Sequence, residues 1–457
     1  MISLQMSEGT RDAVDQSLSS SDLALIRAAK AVLNRNWLGS ATKPAPAVSP
    51  YQWSWDSGFI AMGYAHYDQP RAMQELRSLF EGQWRNGLLP HTVFHHWRSG
   101  SSRYFPGPDV WQTERSPYSP SQVQTSGIVQ PPIHATTAWH LYRYATDHQS
   151  AYQFLIELFP RLVAWHHYLY RERNPAGDGL VYIRHPWESG QNNSPLWDAS
   201  LQRVAVEADE LPAYHRIELR QVHRTQDLSD ESYGRYATLL LQARNHAYDE
   251  TAIRSECPFL VQDVLFNALL VKANRDLAAI ARLLNFDPSP FDRWAEQTAI
   301  SMNQKLWNEE LGYYQNYDLV TQTPEPVCMA SSFTPLYAQV PGLPQAHRMV
   351  QHLLSPAFYS PLVRTCGIPS CSRQSPGFHP GQHWRGPIWL NLNWLLYQGL
   401  KTYSYTIEAE QLRQASLILP KQGGLYEYFH ADTGKGLGAN SFAWTAALVL
   451  DLLLGHP

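Results

Sequence analysis

The chain has 457 residues, 44% of them hydrophobic, with 36 Lys and Arg against 40 Asp and Glu and a formal charge of −4. That is ample apolar material for a large core, and neither sign is in surplus to attract a nucleic acid or an anionic membrane. No apolar run approaches the roughly 18 residues of a membrane span, and segment 1–20 is polar without the apolar stretch and cleavage site of a secretory signal, so a cytoplasmic location is expected.

In chain order, helical periodicity dominates. Ser21 is placed to cap a helix carrying Leu25, Ala28, Ala29, Val32 and Leu33 at helical spacing. Similar stretches run through 70–83, 132–147, 151–172, 231–249, 258–285, 289–307, 387–403, 407–418 and 441–454. Pro70, Pro131, Pro258 and Pro387 stand at or just before four of these starts, where a missing amide proton costs nothing. No low-complexity linker or charge block divides the chain, so a polar leader (1–20) and one domain (21–457) are expected. Long loops rich in Pro and Trp join the helices. A closed ring of paired helices fits this pattern, because each helix hides one face while the loops at one end form a crevice. Cys257, Cys328, Cys366 and Cys371 make neither a zinc pattern nor a disulfide framework and are expected to be reduced, partly buried thiols. The 16 Trp, 25 Tyr and 15 Phe favour packing first, and they also raise the prior for carbohydrate, since aromatic faces stack on sugar rings.

Four loop segments hold the chemistry. In Gln52-Trp53-Ser54-Trp55-Asp56-Ser57 two Trp and a carboxylate suit a pyranose, whose CH face stacks while its hydroxyls need charged partners. A core Trp pair with Asp56 capping the next helix is the plainer alternative. The second segment runs from Gln83 to Pro132 and is mostly turn scaffold. It includes Tyr104, in Tyr-Phe-Pro-Gly-Pro-Asp, and Gln130, which stands just before a helix start and offers a donor and an acceptor to a hydroxyl. His91, His95 and His96 lack a second cluster at ligand spacing, so hydrogen-bonded or exposed histidines are expected there and no metal. The third segment is Trp187-Glu188-Ser189-Gly190-Gln191-Asn192-Asn193-Ser194-Pro195-Leu196-Trp197-Asp198. The fourth pairs His383-Trp384-Arg385-Gly386-Pro387-Ile388-Trp389 with Gly423-Gly424-Leu425-Tyr426-Glu427-Tyr428-Phe429. Here Arg385 can hold a carboxylate through two parallel bonds, and Glu427, between two tyrosines, can serve as a water-activating base or simply be an exposed side chain.

Together these segments resemble the bacterial mannosylglycerate and glucosylglycerate hydrolases of glycoside hydrolase family 63 and, more distantly, the trehalases of family 37. The resemblance spans about Trp53 to Trp444. It rests on QWSWDS, QWRNGLLPH, YFPGPD, TSGIVQPP, WESG with NSPLWD, WRGPIW, YEYF and FAWTAA in that order. It implies an all-α (α/α)6 barrel with long active-site loops at one end and an inverting mechanism without metal or cofactor. In such a mechanism one carboxylic acid protonates the leaving oxygen while a carboxylate activates water on the other ring face, the two being roughly 6.5–9.5 Å apart. Carried over by residue, the general base falls on Glu427. Sugar contacts fall on Trp53, Trp55, Asp56, Gln130, Gly190 and Trp384, with Tyr104 on a covering loop and His383, Arg385 and Trp389 beside them. The implied partner is a small α-glucoside or α-mannoside; homo-oligomerisation is left open.

The general acid of the family is the Asp two positions after Trp-Glu-Ser-Gly, and here that position is Asn192. An amide cannot donate a proton near neutral pH. Three explanations compete: a substitution made to trap a complex, a natural enzyme in which Asp198, Glu188 or His383 donates the proton, and a pseudoenzyme that only binds sugar. Other departures cluster at the leaving-group side and favour natural divergence: His383 replaces a usual Tyr, Gln226-Asp227 stands where an Arg is expected, and Ser441 replaces a Gln. A different, neutral aglycone is the matching expectation. The non-enzymatic alternative is a helical scaffold whose Trp-rich motifs are only core.

Overall fold

The computed structural model describes residues 18–46, 51–95, 105–206, 211, 229–359 and 367–455. Helices are numbered in chain order: α1 (Ser20–Asn36), α2 (Ser54–Ala65), α3 (Gln69–Glu81), α4 (His134–Arg143), α5 (His148–Glu172), α6 (Asp230–Asn245), α7 (Val264–Leu283), α8 (Ser289–Ser301), α9 (Leu343–Leu353), α10 (Leu390–Thr402), α11 (Thr406–Gly423) and α12 (Ala443–Leu454). Six elements form an inner ring in which each packs on the next: α2, α4, α7, the 3-10 helix Ala330–Leu336, α10 and α12, which closes on α2. Each has an outer partner: α3, α5, α8, α9, α11 and α1 respectively. This is the (α/α)6 barrel that the sequence led us to expect.

The two layers differ in their sequences because they differ in what surrounds them. Every residue of α2 is buried, and α12 is buried from Ala443 through Leu453. Neither helix has a polar face to give it a period. Gly63 of α2 faces the backbone of Ala447 so closely that no side chain fits between the two helices. Outer α9, by contrast, buries only Ala346, Met349, Val350 and Leu353, a stripe at helical spacing.

Several starts differ from expectation. The first helix is capped by Ser19, two residues before Ser21, in a capping box with Asp22. Pro258 precedes a short strand, Val261–Gln262, and α7 begins after the Asp263 cap. Pro387 likewise precedes a β-bridge, Ile388 with Phe429, and α10 starts at Leu390. Gln52-Trp53, expected in a loop, is a strand paired with Thr92–Phe94, which in turn pairs with Gln124–Thr125. Among the described residues no helix is long and apolar enough to cross a membrane.

Four of the inner helices turn their N-terminal ends to the crevice. Asp56 lies in the first turn of α2, Gln130 precedes α4, Trp389 caps α10, and Phe442 caps α12. A hairpin, Tyr426–Phe429 with Gly436–Asn440, forms the remaining rim.

Candidate active site

The crevice narrows to a pocket that is open to solvent on one side. Its walls are aromatic. Trp384 and Trp389 stack with ring centres 3.7 Å apart and planes 2° from parallel, and Trp389 continues onto Tyr428 at 4.7 Å. Trp384 reaches this stack with φ +58°, a backbone strain of about 1–3 kcal/mol for a residue with a side chain. Opposite, Trp55 meets Trp444 edge to face at 5.7 Å. Its amide donates to Gln130 Oε1 at 3.1 Å, so α2 and the loop before α4 fix each other. Gly190 is required twice over: its φ is +72°, and an added Cβ would lie 2.6 Å from the Trp55 ring.

Two carboxyl groups face this space. Asp56 is buried, and burial followed by the charge of Glu427 pushes its carboxyl up to about 8. Glu427 is 6% exposed; its Oε2 accepts the Ala439 amide proton at 2.9 Å, and its Oε1 is 3.6 Å from His383 Nε2. The other ring nitrogen of His383, Nδ1, is buried without a hydrogen-bond partner among the described residues. Asn192 lines the same pocket, half-buried, and its backbone carbonyl accepts the Tyr236 hydroxyl from α6.

The segment carrying Asn192 is anchored from behind. Glu188 is fully buried and takes Arg173 in a two-bond clasp, Nη2 to Oε1 at 2.9 Å and Nη1 to Oε2 at 3.0 Å. It also accepts the amides of Val129 at 3.2 Å and Arg184 at 2.7 Å. Arg173 and Arg184 share a second carboxylate, Glu250. Burial alone would raise the Glu188 carboxyl, but the two guanidinium charges and these bonds outweigh it and hold the group down at about 2. This buried network ties the Gln130 loop to the Gly190–Asn192 turn.

Of the residues singled out from sequence, Trp53, Trp55, Asp56, Gln130, Gly190, Asn192, His383, Trp384, Trp389 and Glu427 line one pocket. Arg385 does not. It forks instead onto Asp198, whose two carboxylate oxygens take its guanidinium nitrogens, at the end of the turn that the Arg385 amide closes on the Gln382 carbonyl. That contact also withdraws Asp198 from the proton-donor candidates, and the Arg173 clasp withdraws Glu188. Tyr104, His96, Cys366 and Gln226-Asp227 lie outside the described residues. His91 and His95 are hydrogen-bonded within the protein, to Thr92 and Gln52. Pro44, Phe442 and Trp444 complete the lining and had not been assigned to the pocket; the Phe-Ala-Trp spacing at the start of α12 was the available signal.

The mannosylglycerate hydrolase MGH1-like glycoside hydrolase domain model matches residues 49–445. A mannosylglycerate hydrolase of Rubrobacter radiotolerans is 46% identical over 94% of this chain and 97% of its own. A glucosylglycerate hydrolase of Mycolicibacterium hassiacum is 34% identical over 92% and 96%. The solved structure of the family 63 mannosylglycerate hydrolase from Thermus thermophilus with Tris and D-glycerate superposes with a TM-score of 0.87 at 41% identity, covering 93% of this chain and 99% of that one. Shared architecture and identity at that level, along nearly the full length, leave one assignment: the chain belongs to the MGH1-like enzymes of glycoside hydrolase family 63.

Proposed function

We propose that this chain binds a small α-glucoside or α-mannoside in the pocket between the Trp384–Trp389 stack and Trp55, and that any hydrolysis it performs inverts the anomeric centre. Glu427 is the water-activating base, oriented by the Ala439 amide. Asp56, as a neutral acid, donates and accepts hydrogen bonds to ring hydroxyls. Position 192 is the proton-donor site, and as Asn it can hydrogen-bond the glycosidic oxygen without protonating it. The names of the relatives support glucosyl- or mannosylglycerate as the substrate class. The helix pairs act as one catalytic domain, and a cytoplasmic location suits a compatible-solute glycoside.

The observation that carries this reading is that Asn192 and Glu427 line one pocket while Glu188 and Asp198 are each engaged by an arginine elsewhere. Of the substitute donors, His383 alone faces the pocket, and it stands beside Glu427. The test is Asn192→Asp, assayed on mannosylglycerate, glucosylglycerate and the corresponding glycerol glycosides with the product anomer followed by NMR. General acid catalysis contributes on the order of 10²–10⁴-fold, so turnover is expected to rise by about that factor with the inverted anomer appearing first. Unchanged turnover in Asn192→Asp together with undiminished turnover in Glu427→Gln would overturn the assignment. Measurable sugar binding without turnover in either protein would leave the binding-only reading standing.

A further inference from the structure

At the end of the ring opposite the pocket, side chains from three inner helices meet at one point. His66 follows the last turn of α2, His140 lies in the last turn of α4, and Asp451 lies in the last turn of α12. His66 Nε2 is 2.8 Å from Asp451 Oδ1, and His140 Nε2 is 3.2 Å from the same oxygen. The second carboxylate oxygen, Oδ2, is taken by the Trp394 indole N–H at 2.7 Å, so Oδ1 is the one both imidazoles approach. His140 Nε2 is buried, and its approach to Oδ1 is an ion-pair contact that lacks full hydrogen-bond geometry. The ring itself is fixed by stacking on Tyr144 at 4.4 Å.

We propose that His66, His140 and Asp451 form a divalent-metal site, of the zinc or cobalt type, that clamps α2, α4 and α12 together at the closed end of the barrel. Two imidazole nitrogens and one carboxylate oxygen are a donor set that such ions accept, with a fourth position for water. The three donor atoms already lie within 4.8 Å of one another. A four-coordinate ion with bonds of ~2.0–2.2 Å needs ligand atoms about 3.3 Å apart, and small rotations of the two rings supply the difference. Trp394 holds the carboxylate in the way that outer partners hold metal ligands. The C-terminal ends of three helices add partial negative charge at this point. Because His66 and Asp451 are 385 residues apart, no local ligand spacing announces the site.

The test uses the full chain, free of any affinity tag and purified without chelator. Elemental analysis is expected to find about one zinc-type ion per chain, lost in His140→Ala and Asp451→Asn and retained in the control His246→Ala. Stripping with a chelator is expected to lower Tm by roughly 3 °C or more, with recovery on adding Zn²⁺. If the ligand variants fail to fold, Co²⁺ added to the stripped unmodified chain gives the same decision through the visible bands of a four- or five-coordinate site. No bands, no zinc above the level of the variants and no Tm response to Zn²⁺ would overturn the proposal.

Discussion

Replacing Glu188 with Gln tests the anchoring of the Asn192 turn, because the substitution changes charge and donor count with little change in shape. Both carboxylate oxygens of Glu188 are occupied, Oε1 by Arg173 and Val129 and Oε2 by Arg173 and Arg184. A Gln amide keeps one acceptor and turns an NH2 group toward donors, leaving a buried guanidinium half-compensated. Breaking one side of a buried ion pair typically costs about 3–5 kcal/mol. The depressed carboxyl gives an independent figure: a folded value of about 2 against the ordinary 4.5 corresponds to about 3 kcal/mol at neutral pH. The sign follows from the depression. The stabilisation is fully present above the unfolded value near 4.5 and is lost as pH falls toward 2. Urea unfolding of both proteins at pH 7 and pH 3 is the assay. At pH 7 the variant is expected to be less stable by about 3–5 kcal/mol, and by pH 3 the charge-linked share of that gap falls to less than half. A gap below about 1 kcal/mol at pH 7, or one that does not change with pH, would refute the attribution to a buried charged clasp.

Asp56→Asn addresses the opposite kind of group. The Asp56 carboxyl is raised to about 8, so its contribution to stability is present below the unfolded value near 3.8 and lost as pH rises through 8. The variant should therefore melt higher than the parent at pH 8, with no gain at pH 4, while its sugar affinity, read by titration calorimetry, falls. An equal Tm difference at both pH values would contradict the shift. Arg385→Ala removes an exposed pair with Asp198, expected to contribute about 0–1 kcal/mol, and should leave sugar affinity unchanged; a tenfold loss of affinity would mean that Arg385 reaches the ligand.

The outer layer was legible in the sequence because it is half wet. The apolar spacing in 70–83, 151–172 and 407–418 reports a helix with one dry face, and α3, α5 and α11 are there. Two inner elements without a sequence signal are dry, whereas α12, equally dry, is still legible at 441–454 as a nearly continuous apolar run. Nothing in Ser54–Ala65 alternates, since all twelve positions are buried, and the 3-10 helix Ala330–Leu336 is likewise buried throughout. The start of α9 is marked in the sequence by Gly342 and Pro344, and its buried stripe keeps helical spacing. Site residues were recovered where a motif carries its own neighbours, as in Trp53-Ser54-Trp55-Asp56. They were lost where placement depends on distant chain: the direction of Arg385 is set by Asp198, and the state of Glu188 by Arg173, Arg184 and Glu250.

The order of the ring has a consequence for synthesis. Inner α12 is made after the other members, yet it closes the circle by packing on α2 and on outer α1. Until it leaves the ribosome, α2 has no cover for the face that receives Ala447, and Trp444 is absent from the pocket wall. A nascent chain of this kind waits with a dry helix exposed, a state prone to association. Frameshifts or premature stops near position 440 should therefore yield insoluble product, not a partly active barrel.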